Sequence, residues 1–431
     1  MALTGRVALV ALFGVAVVAV LLPSWTGVLA VAAVIAMGVG ADLLLAGRVR
    51  GLTFERTGAT AVRLGEPAEV TLSVHNTGTR RLRGVLRDAW PPGAGPIADR
   101  HPIDVPPAGH RTVATRLLPT RRGDRRAHRV TVRAVGPLGL AARQGAHEVP
   151  WTVRVLPPFP SRRHLPARLE RLRELDGRRA VMVRGAGTEF DSLRGYVIGD
   201  DVRSIDWRAT ARASEVVVRT WRPERDRHVL LVLDTGRTSA GRVGDAPRLD
   251  AAMDAALLLA ALASRAGDRV DLIAYDRRLR TAVSGAAAGE VLSAMVNAMA
   301  PLEPELVESD AGGMVAEILR RARRRSLVVL LTGLDAAALE PGLLPLLPSL
   351  THRHRLVLAA VSDPRVTEMA TGRGDVSAVY EAAAAERALG DRRRMAALLA
   401  ARGVEVVDAV PSELAPALAD RYLALKAAGR L

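Results

Sequence analysis

Two long apolar runs in immediate succession at the N-terminus constrain this chain most. Val7 to Leu22 is continuous, Pro23-Ser24-Trp25-Thr26-Gly27 is an uncharged turn, and Val28 to Ala46 is interrupted only by Asp42. A helix of about 20 residues crosses a hydrocarbon core, and each run is close to that length, the first on the short side. Residues 1–50 are therefore predicted to form a transmembrane helical hairpin. Arg6 precedes the runs and Arg48, Arg50 and Arg56 follow them, while the turn is uncharged and carries Trp25 at interfacial depth. Cytoplasmic flanks are the arginine-rich ones, so the reading is a multi-pass cell-membrane protein with both ends of the hairpin, and everything after it, in the cytoplasm. A secretory signal with Ala30-Val31-Ala32 as its cleavage site is the competing reading, but the second apolar run continues well past that site. Asp42, near a helix end, is expected to reach the interface.

After Leu52 the hydrophobic period changes to two. Val70, Leu72 and Val74 precede the turn His75-Asn76-Thr77-Gly78, and the pattern returns at Val130 and Val132 and at Trp151, Val153 and Val155. Short alternating strands between Gly and Pro clusters predict a small antiparallel β-sandwich over 51–157. Leu165, Leu169, Leu172 and Leu175 then fall at helical spacing in an arginine-rich stretch, which predicts a linker with a short amphipathic helix over 158–184. A helix lying on the membrane surface is the alternative there.

From 228 to 431 strands and helices alternate. Val229–Leu233, Val270–Tyr275, Leu327–Leu331, Leu356–Val361 and Val404–Val407 read as buried strands, with helical stretches between them and Ser412–Ala427 as the last helix. Such alternation predicts an α/β unit with a doubly wound parallel sheet, whose ligands bind at the carboxyl ends of the strands. Asp234 would stand at that edge.

Several chemistries lack their residues. The chain has no cysteine, so a disulfide framework, a thiolate zinc site and a thiol nucleophile are excluded. Of 61 basic residues only Lys426 is a lysine, and it has no glycine-rich approach, so the chain is not a P-loop ATPase. There is no Gly-x-Ser-x-Gly elbow and no His-Glu-x-x-His pair. His352 and His354 are two apart before a strand and read as a solvated edge rather than as ligands. The net charge of +16 leaves an acidic partner, an anionic lipid surface or nucleic acid open. Aromatic residues do not recur among basic strands as a stacking platform requires, so nucleic acid is not expected.

The segment 185–227 is dense in charge of both signs. Arginine forks pair bidentately with carboxylates, so this band is either an intramolecular clamp or a docking face. The run Glu189-Phe190-Asp191-Ser192-Leu193-Arg194, then Tyr196, Gly199-Asp200-Asp201, Arg203, Ile205-Asp206-Trp207 and Ala211-Arg212, followed by a strand ending in Asp234, resembles the bacterial family catalogued as domain of unknown function 58. Pro137-Leu138-Gly139-Leu140 is similar to a turn of that family's β-rich region. The resemblance implies an N-terminal membrane hairpin, a von Willebrand factor A-like C-terminal domain, and association with a MoxR-type AAA+ ATPase. It implies no known reaction.

Von Willebrand A domains hold Mg²⁺ with Asp-x-Ser-x-Ser after the first strand, a Thr from a second loop and an Asp from a third. Here Asp234 and Thr238 fit, Gly236 removes one hydroxyl, Ser309 and Asp310 stand near the second loop, and the third reads Thr332-Gly333-Leu334-Asp335. Asp234, Thr238, Asp310, Thr332 and Asp335 are thus the candidate, incomplete Mg²⁺ set; in the alternative, Asp234 caps its own loop. The leading functional expectation is a non-enzymatic, membrane-anchored adaptor or assembly factor for such an ATPase and its client. The alternative is a metal-dependent hydrolase at the membrane surface using Asp234 with Asp200, Asp201 or Asp206. The sequence also leads to the expectation that losing Asp206 or Trp207 disturbs the fold or docking face more than losing Asp234.

Overall fold

A computed structural model describes residues 2–21, 23–182, 189–213, 215–222 and 227–431, apart from the side chains of 176–191 and 220–222. The chain is mixed α/β and divides into two units, Met1–Leu156 and Pro157–Leu431.

In the first unit, Gly5–Leu21 and Trp25–Leu45 are consecutive apolar helices that pack on each other, Gly14 admitting Val31. The second begins under a Ser24 cap and is long and apolar enough to cross a membrane; the first is a shorter apolar helix of 17 residues. The start of the first helix and the end of the second return to one turn. Ala2–Leu3 pairs with Ala141 and Ala142, and Thr4 donates its N–H to the Leu140 carbonyl. Asp42 is fully buried and accepts the backbone N–H groups of Leu138 (2.7 Å), Leu140 (2.5 Å) and Ala141 (2.9 Å). Its carboxylate is thus engaged by three backbone donors of that turn, which need an acceptor. Gly139 in the same turn has φ +73°, and a Cβ there would meet the Arg6 guanidinium, so backbone and space both call for glycine.

The β-rich part has two antiparallel sheets. One is Leu52–Gly58, Ala68–Asn76 and His110–Leu117; the other orders Ala141–Leu156, Gly123–Val135, Leu82–Asp88 and Arg100–Val105, with Ala61–Arg63 joined parallel to Ala141–Leu156. Alternating residues of both sheets, such as Leu72 and Val74 with Leu86 and Val132, share one core. Asp88 is buried beneath it and accepts from Arg56, from Trp90 Nε1 (2.8 Å) and from Thr115 Oγ1 (3.0 Å).

In the second unit the sheet order is Leu279–Val283, Arg269–Tyr275, His228–Asp234, Ser326–Leu331, Arg355–Val361, Glu405–Ala409. Five strands are parallel, but the edge strand Leu279–Val283 runs antiparallel, so the sheet is mixed rather than wholly parallel. The three residues Asp276–Arg278 that precede it are too few for a crossover, which leaves only a hairpin. Helix Arg248–Arg265 packs with Pro411–Ala427. Met314, Leu347, Met395 and Leu399 fill a core against Leu230, Val328 and Leu358. Between Ser326–Leu331 and Arg355–Val361 the expected helical stretch is a chain of short α, π and 3-10 turns, because Pro341, Pro345 and Pro348 remove donors from it.

The short helix read in 158–184 is Leu165–Met182, and it packs within the second unit: Leu165 and Leu172 are buried, and Arg168 binds Asp420 (2.8 Å) and the Pro416 carbonyl of the last helix. His354 is buried rather than solvated. Burial, with Arg353 and His228 nearby, pushes its imidazole pKa down.

Candidate functional site

In the parallel part of the sheet the winding direction reverses between His228–Asp234 and Ser326–Leu331, and such a reversal opens a crevice at the carboxyl ends of the two strands. Asp234 ends the first of them and Thr332 follows the second. Asp234 is 4% exposed. One oxygen accepts from the Gly236 N–H (2.9 Å) and Ser309 Oγ (2.5 Å), the other from Thr238 Oγ1 (2.9 Å) and Thr332 Oγ1 (2.6 Å). Three loops thus converge on one carboxylate.

Gly236 and Ser309 explain each other. A Cβ at 236 would fall on Ser309 Oγ and 2.9 Å from the Val307 carbonyl. The hydroxyl absent at 236 is therefore replaced by one arriving from another loop, beside Asp310 in sequence. Of the candidate ligands, Asp234, Thr238 and Thr332 come together. Asp310 and Asp335 are exposed, and each caps a helix of its own, accepting from the N–H of Gly313 (3.1 Å) and of Ala337 (3.1 Å). Among the described residues, no group of three or more His, Cys, Asp or Glu is placed to hold a metal ion.

The loops are also tied to each other. Arg237 N–H binds the Val307 carbonyl (2.8 Å), and its side chain pairs with Glu308 (2.6 Å). Thr235 Oγ1 donates to Asp276 (3.1 Å). Burial pushes the Asp276 carboxyl up, but hydrogen bonds from Arg280 and from the Arg277 and Arg278 amides outweigh it and leave its pKa below the usual range. The result is a preorganised rim on a cavity of about 50 Å³ whose floor is Met314, Leu330, Leu339 and Leu343. Its lining holds no histidine, cysteine or lysine, and the hydroxyls of Thr238, Ser309 and Thr332 all donate to Asp234. A Ser326–His228–Asp271 chain does exist, with Ser326 Oγ 2.9 Å and Asp271 Oδ2 3.0 Å from the imidazole. It sits at the opposite strand ends; Ser326 and Asp271 are both 2% exposed, and the serine donates to the Arg324 carbonyl (2.8 Å). It bridges strands and presents no nucleophile.

The charged segment forms a separate β-arm, Glu189–Gly195 paired antiparallel with Val217–Arg222. Among the described residues its ion pairs are internal. Arg194 grips Asp200 with both terminal nitrogens (2.6 and 2.8 Å), and Asp206 pairs with Arg219 Nε (2.8 Å) while capping Trp207–Thr210. The guanidinium of Arg194 and the Val197 amide hold the Asp200 carboxyl below its usual range, and the Ala209 amide with Arg219 does the same for Asp206. Asp201 accepts from the Arg203 amide (3.0 Å), and Gly199 takes φ +108°, a conformation that favours glycine. Arg203, Arg212, Tyr196 and Trp207 are exposed. The side chains of Glu189 and Asp191 lie outside the described residues. Sequence reasoning passed over Ser309 as a donor to Asp234 and passed over Val197, Ile198 and Val202, which stand exposed in the arm. Branched apolar residues flanking Gly199-Asp200-Asp201 were the available signal.

Comparisons with known proteins follow this division. Uncharacterised proteins of Mycobacterium bovis and Mycobacterium tuberculosis are 28% identical over 197 residues, 45% of this chain, which spans 61% of their length. A CARDB domain from Pyrococcus furiosus overlaps 24% of this chain and 86% of its own at 19% identity, with a TM-score of 0.18. A β-glucosidase from Erythrobacter marinus overlaps 24% of this chain and 15% of its own at 16% identity, with a TM-score of 0.15. Likenesses of that size carry no argument about fold or activity. Residues 192–395, from the β-arm through most of the α/β unit, match the family described as protein of unknown function DUF58.

Proposed function

We propose that this protein is a membrane-anchored adaptor whose α/β unit, von Willebrand factor A-like in its crevice, engages a MoxR-type AAA+ ATPase and its client. The observation that carries the reading is the Asp234 carboxylate, held by hydroxyls of three loops over a concave cavity whose lining holds no histidine, cysteine or lysine. A rigid, polar, strand-end crevice of that kind suits recognition of a partner side chain. The partner's identity rests on the family resemblance alone.

The oxygen donors fit a hard cation: Asp234, Thr238, Ser309 and Thr332 would hold Mg²⁺, which would supply a positive centre for a partner carboxylate. Asp200, Asp201 and Asp206, the partners of Asp234 in a hydrolase reading, belong to the arm and do not line the cavity.

The anchor is proposed as a hairpin with both ends cytoplasmic. Thr4 at the start of the first helix and Asp42 near the end of the second both bind the 136–141 turn, so the two ends lie together. Arginines flank that side and none stands in the Trp25 turn. Protease added to sealed spheroplasts should leave the region after Arg48 intact; digestion from outside would reverse the topology. Affinity capture of the tethered chain, with and without chelator and across a salt series, should recover the ATPase. Loss with chelator indicates an ion-completed contact, and loss with salt indicates contacts through arginines such as Arg237. Absence of any ATPase under every condition, with the protein folded, would remove the adaptor reading.

A further inference from the structure

The arm carries a surface that the crevice reading does not use. Its strands close through the Tyr196 N–H to the Val216 carbonyl (2.7 Å) and the Asp206 N–H to the Val217 carbonyl (2.9 Å), so residues between 196 and 206 form an excursion at the tip. On that excursion Ile198 is 97% exposed, Val197 and Val202 are also open to solvent, and Trp207 beside it is 68% exposed. Exposing such a cluster costs free energy, and it normally marks a contact surface.

Among the described residues the tip sets three exposed arginines, Arg203, Arg208 and Arg212, against two exposed carboxylates, Asp201 and Glu215. Asp200 and Asp206 are engaged by Arg194 and Arg219, and Asp201 caps its own turn. Arg203, Arg208 and Arg212 are exposed and pair with no carboxylate among the described residues. The outward face is thus branched aliphatics and an indole rimmed by guanidinium groups that have no carboxylate partner among the described residues, with Asp201 and Glu215 nearby. Tryptophan seats at the headgroup level of a bilayer, aliphatics enter the acyl boundary, and guanidinium groups pair with phosphates. The same chain carries a helix long enough to cross a membrane, which would keep a bilayer within its surroundings. We propose that the arm tip docks on an anionic lipid surface, as a second membrane contact separate from the apolar helices. It rests on the anchor part of the proposed function and not on the ATPase.

The absence of native cysteine makes the test direct. Ile198→Cys, labelled with a polarity-sensitive fluorophore, is placed by full-length reconstitution in nanodiscs of phosphatidylcholine alone or mixed with phosphatidylglycerol. Docking predicts blue-shifted emission and protection from an aqueous quencher in the mixed discs, and reversal of both by salt. Each arginine near an anionic surface contributes about fivefold, so replacing Arg203, Arg208 and Arg212 with Gln should lower the docked-to-free ratio on the order of 100-fold. Those side chains have no carboxylate partner among the described residues, and an unchanged melting curve confirms that the variant is folded. Emission that stays aqueous in both discs overturns the proposal. A blue shift that ignores lipid charge, persists in detergent or needs an added protein means that protein covers the tip, and overturns it too. A chain that stays out of the discs sinks this proposal together with the anchor; one that enters them while Ile198 stays aqueous sinks this proposal alone.

Discussion

At the scale of single residues, the site is governed by where hydroxyls come from rather than by how many the first loop supplies. Asp234 could be read as deprived of a ligand partner by Gly236, yet Ser309 occupies that space and bonds the same carboxylate. Gly236→Ser should therefore destabilise the protein by about 1–3 kcal/mol, the usual cost of overpacking. Ser309→Ala in the same chain should recover part of the loss, with the rest due to the Val307 carbonyl 2.9 Å from the new Cβ. A double-mutant cycle on melting curves reads the coupling, and strict additivity would contradict the substitution of one hydroxyl by the other.

At the scale of elements, the arm and the crevice divide the work of the family-matching segment. Because the arm's ion pairs among the described residues are internal and Trp207 is largely exposed, Trp207→Ala should change global stability by less than about 0.5 kcal/mol. Asp234→Ala strands three hydroxyls and an amide in a buried crevice and should cost about 1–3 kcal/mol, measured by chemical denaturation. For stability, the geometry thus predicts a larger cost at Asp234 than at Trp207, the opposite of the order that charge density alone suggests for that pair. Charge density marked the segment as special but could not say whether its carboxylates faced one another, another element or solvent. The edge strand Leu279–Val283 went unread for a related reason: its residues are mostly half-exposed, and a short, half-polar strand looks like loop until its neighbour pairs with it.

Across the whole molecule, burial couples pH to stability through His354. Its folded pKa lies below the ordinary 6.5, so the unfolded chain takes up a proton first as pH falls. Stability is then fully present above that value and declines as pH drops through it toward the folded pKa, by at most about 1.4 kcal/mol per pH unit for one group. His354→Leu should flatten this part of the stability curve in urea titrations run at neutral and mildly acidic pH; parallel curves for the two proteins would contradict it. Sequence alone set the apolar N-terminal runs, the alternation of strands and helices after His228, and the segment that matches a family, because hydrophobic period and motif order are properties of local residues. Tertiary structure alone decided that Asp42 serves a turn about a hundred residues away, that His354 is buried and that Ser309 rather than Asp310 joins Asp234. It also left the arm's apolar tip uncovered. Each of these depends on which distant backbone donor, hydroxyl or strand arrives at a residue, and that is fixed only when the chain closes on itself.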